Sequence, residues 1–205
     1  MAERDVPPKP AYHHGDLRNA LLVAAEQELR AKGLERFTLR GCAKRAGVSH
    51  AAPAHHFADA TGLLTALATE GFQRFIATQR ARQAKAAPDA RSQYVAAGLG
   101  YIDFALANPE LFRLMFSSRR ADFSEQELDR ASAAAYDHLV ATIGTLRGDD
   151  PRASHGRQAD VTASWAIVHG LADLLLSGRI RSLDSLEGRE RDNALAAIIA
   201  RSLPA

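Results

Sequence analysis

Apolar residues recur along most of this chain at the three- and four-residue spacing of α-helices, and this spacing defines the predicted elements. Over residues 38–46, one face of a short helix is formed by Leu39, Cys42, Ala43 and Ala46. Thr38 can cap the start of this helix, and Gly47 can end it in the left-handed conformation. The alternating β-branched runs that strands favour are absent, so the pattern predicts an all-α fold.

A second short helix is predicted from about His50 to His56, with Ser49 as its N-cap and Pro53 in its first turn. Two short helices around a tight glycine turn form a helix-turn-helix, whose second helix enters the major groove of DNA. Cationic side chains on the first helix and small or hydrogen-bonding ones on the second suit this use. The predicted DNA-binding residues are Thr38, Arg40, Lys44, Ser49, His50, Ala51, His55 and His56. Two short helices packed inside another all-α protein would show the same spacing, so the pattern leaves both readings open.

The pattern after the helix-turn-helix predicts a larger helical body. A long helix begins at Asp59 or Thr61 and runs to about Ala84, where it would connect the DNA-reading part to the body. A helix from about Asp89 to Ala107 follows, and Pro109 begins a short one that is apolar on nearly all sides. Such a helix is buried on several sides or lines a cavity, and its Met and aromatic side chains suit an adaptable pocket. Ordinary core packing explains the same pattern.

The last third of the chain predicts a dimer interface. Ser124 and Glu127 form a capping box that should start a helix. The helix over residues 161–176 carries one apolar stripe of Val161, Trp165, Val168, Ala172 and Leu175 and a second of Ile167, Leu171 and Leu174. One stripe can pack inside the body while the other meets a second copy of the chain, completing a four-helix bundle. The predicted interface residues are Ile167, Leu171, Leu174, Leu195, Ile198 and Ile199.

Composition and charge add little to these predictions of fold and function. The 205 residues suffice for a small DNA-binding domain on a larger one, and the net charge of +2 argues only weakly for nucleic acid. Cys42 is the only cysteine, so no internal disulfide can form, as suits a reducing cytoplasm; we expect it in the core rather than as a redox thiol. We expect no signal peptide, no membrane span and no metal or other cofactor, because the required apolar runs and ligand spacings are absent.

A resemblance to a known family makes the DNA-binding reading more specific. AGVSHAAPAHHFADATGLL, residues 46–64, resembles the recognition element and the start of the fourth helix of the TetR family of bacterial repressors. YHHGDLRNALLVAAEQELRAKGLERFTLR, residues 12–40, resembles that family's first helix and the loop after it. The family usually has Tyr at the position of Ala54 and Lys at that of Ala60, and both commonly touch phosphate in relatives. Their loss would weaken sequence-independent affinity and leave the base-reading positions in place.

The body resembles a C-terminal domain of one TetR subfamily, the Trp-His-Gly type, through Trp165, His169, Gly170 and the segment PELFRLMF. Trp165 and His169 share a helix face, where they would either line an effector pocket or, for His169, bond a carbonyl in the core. Gly170 would allow close helix approach. The predicted ligand-binding residues are Phe104, Leu111, Phe112, Met115, Phe116, Tyr136, Leu139, Trp165 and His169.

The resemblance implies a homodimeric, cytoplasmic regulator, a repressor that a small, largely apolar effector releases from a palindromic double-stranded DNA operator. We expect a disordered arm over residues 1–11, a helix-turn-helix domain over 12–60, and a ligand-binding and dimerisation domain over 61–205. An enzyme is disfavoured, because no catalytic triad, phosphate-binding glycine loop or metal-ligand spacing stands out. The remaining alternative is a helical ligand-binding or interaction module with weakened DNA binding, which Ala54 and Ala60 keep open.

Overall fold

The computed structural model describes residues 14–153 and 155–201, so the predicted arm over residues 1–11 lies outside the described ranges. These ranges contain α-helices, short 3-10 turns and no strand, which confirms the predicted all-α fold. The α-helices are α1 His14–Lys32, α2 Leu39–Ala46, α3 Ala52–Phe57, α4 Ala60–Gln83, α5 Ala90–Ala107, α6 Pro109–Phe116, α7 Gln126–Arg147, α8 His155–Leu176, α9 Arg181–Asp184 and α10 Gly188–Ala200.

The chain divides into two compact units, with the boundary between Leu63 and Leu64. Helices α1 to α3 belong to the first unit, and α5 to α10 belong to the second. Helix α4 begins in the first unit and continues into the second as one element. The boundary predicted from the sequence, between residues 60 and 61, lies three residues earlier in the same helix.

The first unit is held together by the packing of α1 on α2. The carboxylate of Glu28, which is buried on α1, accepts a hydrogen bond from Nε of Arg45 at 2.5 Å. Gly41 makes room for this pair, since a Cβ there would lie 2.1 Å from the Glu28 carboxylate. Cys42 is fully buried, and burial raises the pKa of its thiol to about 12. This placement fits the predicted core role of Cys42.

The predicted boundaries of α2 are confirmed. The side chain of Thr38 accepts a hydrogen bond from the Gly41 amide at 3.1 Å, and Gly47 ends the helix at φ 69° and ψ 27°. Helix α4 is likewise capped by Asp59, whose carboxylate accepts from the Gly62 amide at 2.8 Å. These local signals were readable because a cap involves residues only two or three positions apart.

Two predicted caps are wrong. Helix α3 begins at Ala52 without a side-chain cap, and Ser49 contributes its carbonyl oxygen to the turn before it, accepting from the Ala52 amide at 3.1 Å. Helix α7 is capped by Glu125, whose carboxylate accepts from the amides of Glu127 and Leu128. The amide of Glu127, which a Ser124 cap would bind, donates to Glu125 instead, and the Ser124 hydroxyl donates to the Asp122 carboxylate at 2.6 Å.

Helix α5 is the centre of the second unit and packs against α6, α7, α8 and α10. Small residues let its neighbours approach closely: a Cβ at Gly98 would lie 3.0 Å from Ile199 of α10, and one at Gly100 would lie 2.6 Å from the Gln79 backbone of α4. The guanidinium of Arg82 adds a polar tie at the end of α4. It donates to Asp103 of α5 at 2.5 Å and to Asp192 of α10 at 2.6 Å.

Helix α8 is apolar but lies largely at the surface of its unit. By length and composition alone the stretch Gln158–Leu176 could cross a membrane, although a single such helix is weak support for that role. Ile167 and Leu174 are 39% and 45% exposed, so two of the three residues of the second predicted stripe are left uncovered by the described residues. Leu171 is buried in the same chain, which differs from its predicted place at the dimer interface.

The predicted interface residues on α10 also differ from the expectation. Leu195 and Ile199 are buried within the unit, and Ile199 lies against Gly98 of α5, while Ile198 is half-buried. Leu195 and Ile199 therefore belong to the core of one copy, whereas Ile198 keeps part of its side chain at the surface. Helical spacing placed them on one face but did not reveal that α5 covers that face.

Candidate functional site

The helix-turn-helix of α2 and α3 presents its predicted DNA-binding side chains to solvent. Exposed residues are Thr38, Arg40, Lys44, Ser49, His50, Ala51 and His55, and His56 is half-exposed. Phe57 anchors the end of α3, since it is buried and lies 5.3 Å beneath the guanidinium of Arg18 on α1. The neighbouring cation Arg45 is less available for phosphate, because it pairs with Glu28. Ala54 is exposed and Ala60 is half-buried.

A strained turn joins α3 to α4. Ala58 has φ 61° and ψ −62°, and the Asp59 amide donates to the Phe57 carbonyl at 2.7 Å. These values describe a γ-turn of the rarer form with positive φ. This conformation is strained, and therefore costs free energy, for any residue that has a Cβ. Ala58 is the one non-glycine residue with positive φ in the described chain. An alanine carries no sequence signal for this conformation, so the turn could not be predicted.

A cavity of about 500 Å³ lies within the second unit, a volume typical of sites for drug-sized ligands. Of the predicted ligand-binding residues, the cavity is lined by Met115, Phe116, Tyr136, Leu139 and Trp165. Three large side chains on its wall, Phe123, Tyr136 and Trp165, are about two-fifths exposed, so the cavity is reachable from solvent.

The other predicted ligand-binding residues do not line the cavity. Phe104, Leu111 and Phe112 are buried behind its wall, with the Phe112 ring 4.9 Å from that of Phe116. The apolar pattern of α6 allowed two roles, core packing and lining of a cavity. The helix has both, since one side lies in the core and another lines the cavity. Its all-round apolar sequence could not distinguish those sides.

His169 does not line the cavity itself but contacts Tyr101, which does. Its Nδ1 lies 2.7 Å from the Tyr101 hydroxyl, which also accepts from Nε1 of Trp165 at 3.4 Å. An indole can only donate, so the single phenol hydrogen remains to be donated to Nδ1 of a neutral imidazole. Burial supports both states: it raises the pKa of Tyr101, and it lowers the pKa of His169 despite the opposing charge of Asp173. Neither predicted role of His169, a wall contact or a carbonyl bond, describes this arrangement.

Sequence reasoning missed several polar wall residues, of which Tyr101 and Ser164 matter most. The Ser164 hydroxyl is buried at the cavity and has no hydrogen-bond partner among the described residues. A signal for it existed, because Ser164 is a polar residue on the buried side of α8, three residues after Val161 and four before Val168. Tyr101 carried no such signal in the sequence, because its hydrogen bonds to Trp165 and His169 form only where α8 lies beside α5.

The described residues contain no group of three His, Cys, Asp or Glu side chains that could hold a metal ion. Of the three histidines in the helix-turn-helix region, His50 and His55 are exposed and His56 is half-exposed, so all three can form hydrogen bonds with a partner.

Comparison with known proteins identifies two family models in the chain. Residues 21–67 match the model described as bacterial regulatory proteins, tetR family, and residues 94–201 match that of the tetracyclin repressor-like C-terminal domain. The Trp-His-Gly subfamily stays a prediction. Comparison with curated protein sequences finds no match.

Solved structures resemble the chain over nearly its whole length. A protein of unknown function from Rhodococcus sp. RHA1 is 32% identical, with a TM-score of 0.77, covering 95% of this chain and 99% of that one. A TetR-like transcriptional regulator from the same organism shares the fold at 14% identity and a TM-score of 0.66, covering 94% and 98%. A TetR family transcription regulator from Marinobacter aquaeolei VT8 also shares the fold, at 16% identity and a TM-score of 0.62, covering 91% of this chain and 95% of that one.

Proposed function

Because the chain belongs to the TetR family of DNA-binding transcriptional regulators, we propose that it is a ligand-responsive repressor. It binds a palindromic operator as a homodimer, and a small, largely apolar effector releases it. The observation that carries this proposal is the aromatic-lined cavity in the same chain as an exposed helix-turn-helix. A cytoplasmic location follows from the role, since TetR-family regulators are soluble DNA-binding proteins.

DNA binding rests on the exposed face of α2 and α3. The N-terminal residues of α3 and the turn before it, Ser49 to Ala51, are the ones that reach base edges in a helix-turn-helix. Arg40 and Lys44 supply phosphate contacts, which position the protein without reading sequence. Two copies of this surface read half-sites about one helical turn of DNA, roughly 34–36 Å, apart.

Dimerisation rests on the unpartnered side of α8. Ile167 and Leu174 lie seven residues apart, two helical turns, and both are exposed in the single chain. An apolar stripe of this kind is buried in a symmetric contact with its own copy. Leu171, Leu195 and Ile199 are buried within the unit and do not form that surface.

The effector acts by linkage. The effector weakens DNA binding by a factor that is limited by the ratio of its affinities for two forms of the protein, the form that cannot bind DNA and the form that can. Helix α4 is placed to carry this difference, because Phe72, Phe75 and Gln79 line the cavity and its capped start follows α3 along the chain. A shift of α4 when the cavity fills would change the spacing of the two DNA-reading helices.

The direct test is retention of fragmented genomic DNA, including the region upstream of the protein's own gene, at two salt concentrations. A repressor retains a palindromic fragment at the higher salt, because base contacts persist where phosphate contacts weaken. Effector candidates are then scored by release of that fragment. Trp165→Ala should impair release more than DNA binding. Equal loss of both, with a lowered melting temperature, would instead assign Trp165 to the core.

A second candidate function is a ligand-binding or interaction module with weakened DNA binding. Ala54 and Ala60 favour it, because the side chains that commonly hold phosphate in relatives are missing. Such a module would bind an effector as a folded dimer and retain no specific fragment at either salt concentration. TetR-family regulators are transcription factors rather than enzymes, so turnover of a bound ligand would contradict both candidates.

A further inference from the structure

The described residues that line the cavity combine one negative charge with many aromatic rings and no positive charge. We propose that the cavity selects a hydrophobic organic cation, a protonated amine or quaternary onium ion with an apolar body, and rejects anions of the same shape. This inference rests on the proposed role of the cavity as the effector site. It names the chemical class that the site takes.

The first observation is the charge of the lining. Among the described residues that line the cavity none is Lys, Arg or His, and the single charged side chain is that of Asp129 on α7. The Asp129 carboxylate has no ion pair within the described part of the chain. Asp129 is exposed, which places this charge where it can meet a ligand at the solvent side of the cavity.

The second observation is the density of aromatic faces. Phe72 and Phe116 lie 5.4 Å apart, Phe75 and Tyr101 lie 4.8 Å apart, and Trp165 closes the group at 6.5 Å from Phe116. Aromatic faces carry negative electrostatic potential and attract cations, and they do so most strongly where water is excluded. These rings line one cavity, so a cation in it would meet several faces.

The third observation is the direction of the hydroxyl groups. The Ser132 hydroxyl donates to the Asp129 carbonyl at 3.0 Å, that of Thr142 to the His138 carbonyl at 2.8 Å, and that of Tyr101 to His169. With their hydrogens engaged, these three wall oxygens can only accept from a ligand. The unpartnered Ser164 hydroxyl is able to do either. The walls therefore favour ligands that donate.

These three features disfavour an anion for one physical reason. An ion that leaves water must be compensated by opposite charge or by hydrogen bonds, and the described residues of the wall include no cation. A carboxylate or phosphate ligand would enter uncompensated beside Asp129, whereas an onium ion is met by carboxylate, ring faces and lone pairs.

The test compares tetraphenylphosphonium with tetraphenylborate, which have nearly the same shape and opposite charge. Trp165 is the single tryptophan of the chain and lines the cavity, so its fluorescence reports binding directly. We expect the phosphonium ion to bind about tenfold more tightly than the borate, or better. Equal affinity, tighter binding of the borate, or no quenching by either ion would overturn the proposal.

Variants assign the selectivity to this cavity. Asp129→Asn should weaken phosphonium binding about two- to fivefold, as for an exposed charge pair, and should leave borate binding the same or stronger. Glu127→Gln is the matched control, since Glu127 is an exposed residue of the same helix that does not line the cavity. An equal effect of both substitutions would show a general effect of net charge and contradict the assignment. Because fluorescence is measured without DNA, failure here is separate from failure to retain an operator fragment.

Discussion

At the scale of single residues, Ala58 is the one non-glycine residue of the described chain with a positive φ. Its positive φ lies between the recognition helix α3 and the connecting helix α4, where the Asp59 cap and the buried Phe57 hold the chain on both sides. Strain of this kind persists only when the surrounding structure over-determines it. Here the neighbours that hold it also set where α3 ends relative to the start of α4.

Ala58→Gly should therefore stabilise the protein. Glycine adopts positive φ without the Cβ penalty, so we expect the free energy of unfolding to rise by about 1 kcal/mol in urea denaturation. Ala20→Gly in the regular helix α1 is the control and should lower stability by about the same amount. A loss of stability in both variants would mean that Ala58 is not strained.

Ala60 tests whether a missing phosphate contact can be restored. If this position faces DNA, Ala60→Lys should tighten binding to specific and random DNA about equally and steepen the log–log salt dependence by roughly one unit. Ala134→Lys on the exposed side of α7 adds the same charge in the other unit and should change the slope little. An unchanged slope for Ala60→Lys would show that residue 60 does not reach the backbone.

At the scale of helices, contact distance separates glycines that the sequence alone treats as equivalent. Gly100 lies where α4 crosses α5, with no room for a Cβ, whereas a Cβ at Gly170 on α8 would meet no atom of the chain within 4 Å. The close helix approach predicted at Gly170 is therefore absent within the described chain. It is present instead at Gly98 and Gly100.

The matching substitutions should have opposite effects. Gly100→Ala forces α4 and α5 apart and should cost about 2 kcal/mol or more of unfolding free energy. Gly170→Ala removes a helix-interior glycine and should add up to about 1 kcal/mol. Thermal melts of both variants decide this. If the Gly170→Ala variant is instead less stable and its dimer dissociates more readily, a helix of the second copy must lie against Gly170.

At the scale of the whole molecule, the proposed binding of a palindromic operator requires two copies of the chain, and we propose the exposed side of α8, with Ile167 and Leu174, as their contact surface. The charged double variant Ile167→Arg, Leu174→Arg should dissociate the dimer, because it places two pairs of like charges across a symmetric contact. Sedimentation velocity would show monomers at concentrations where the unaltered chain is dimeric. Operator affinity should fall with it, since each half-site would then be bound separately.

Val23→Arg is the control for this prediction. Val23 is the most exposed large apolar residue on α1, at 57%, and lies outside α8, so its substitution should leave the dimer intact. Dissociation by both changes would indicate a general effect of added charge. A dimer that survives the α8 variant would place the interface elsewhere.

The sequence alone determined the features that depend on neighbouring residues. Helix positions follow from apolar spacing, and the Thr38 and Asp59 caps and the Gly47 stop involve atoms at most a few residues apart. The family resemblance rests on such local segments, which is why the helix-turn-helix is recognisable from the order of residues alone. The two predicted caps at Ser49 and Ser124 are wrong because α3 begins only at Ala52, without a side-chain cap, and because the Glu125 carboxylate caps α7 instead.

Only the tertiary structure decided what each helix face meets. Phe116 lines the cavity while Phe112, on the same short helix, lies behind it, and Ile199 packs on α5 instead of facing a second copy. The hydrogen bonds from Trp165 to Tyr101 and from Tyr101 to His169 join residues more than sixty positions apart. Periodicity assigns a residue to a face, but the neighbour on that face is set by packing between distant segments, which a local pattern does not encode.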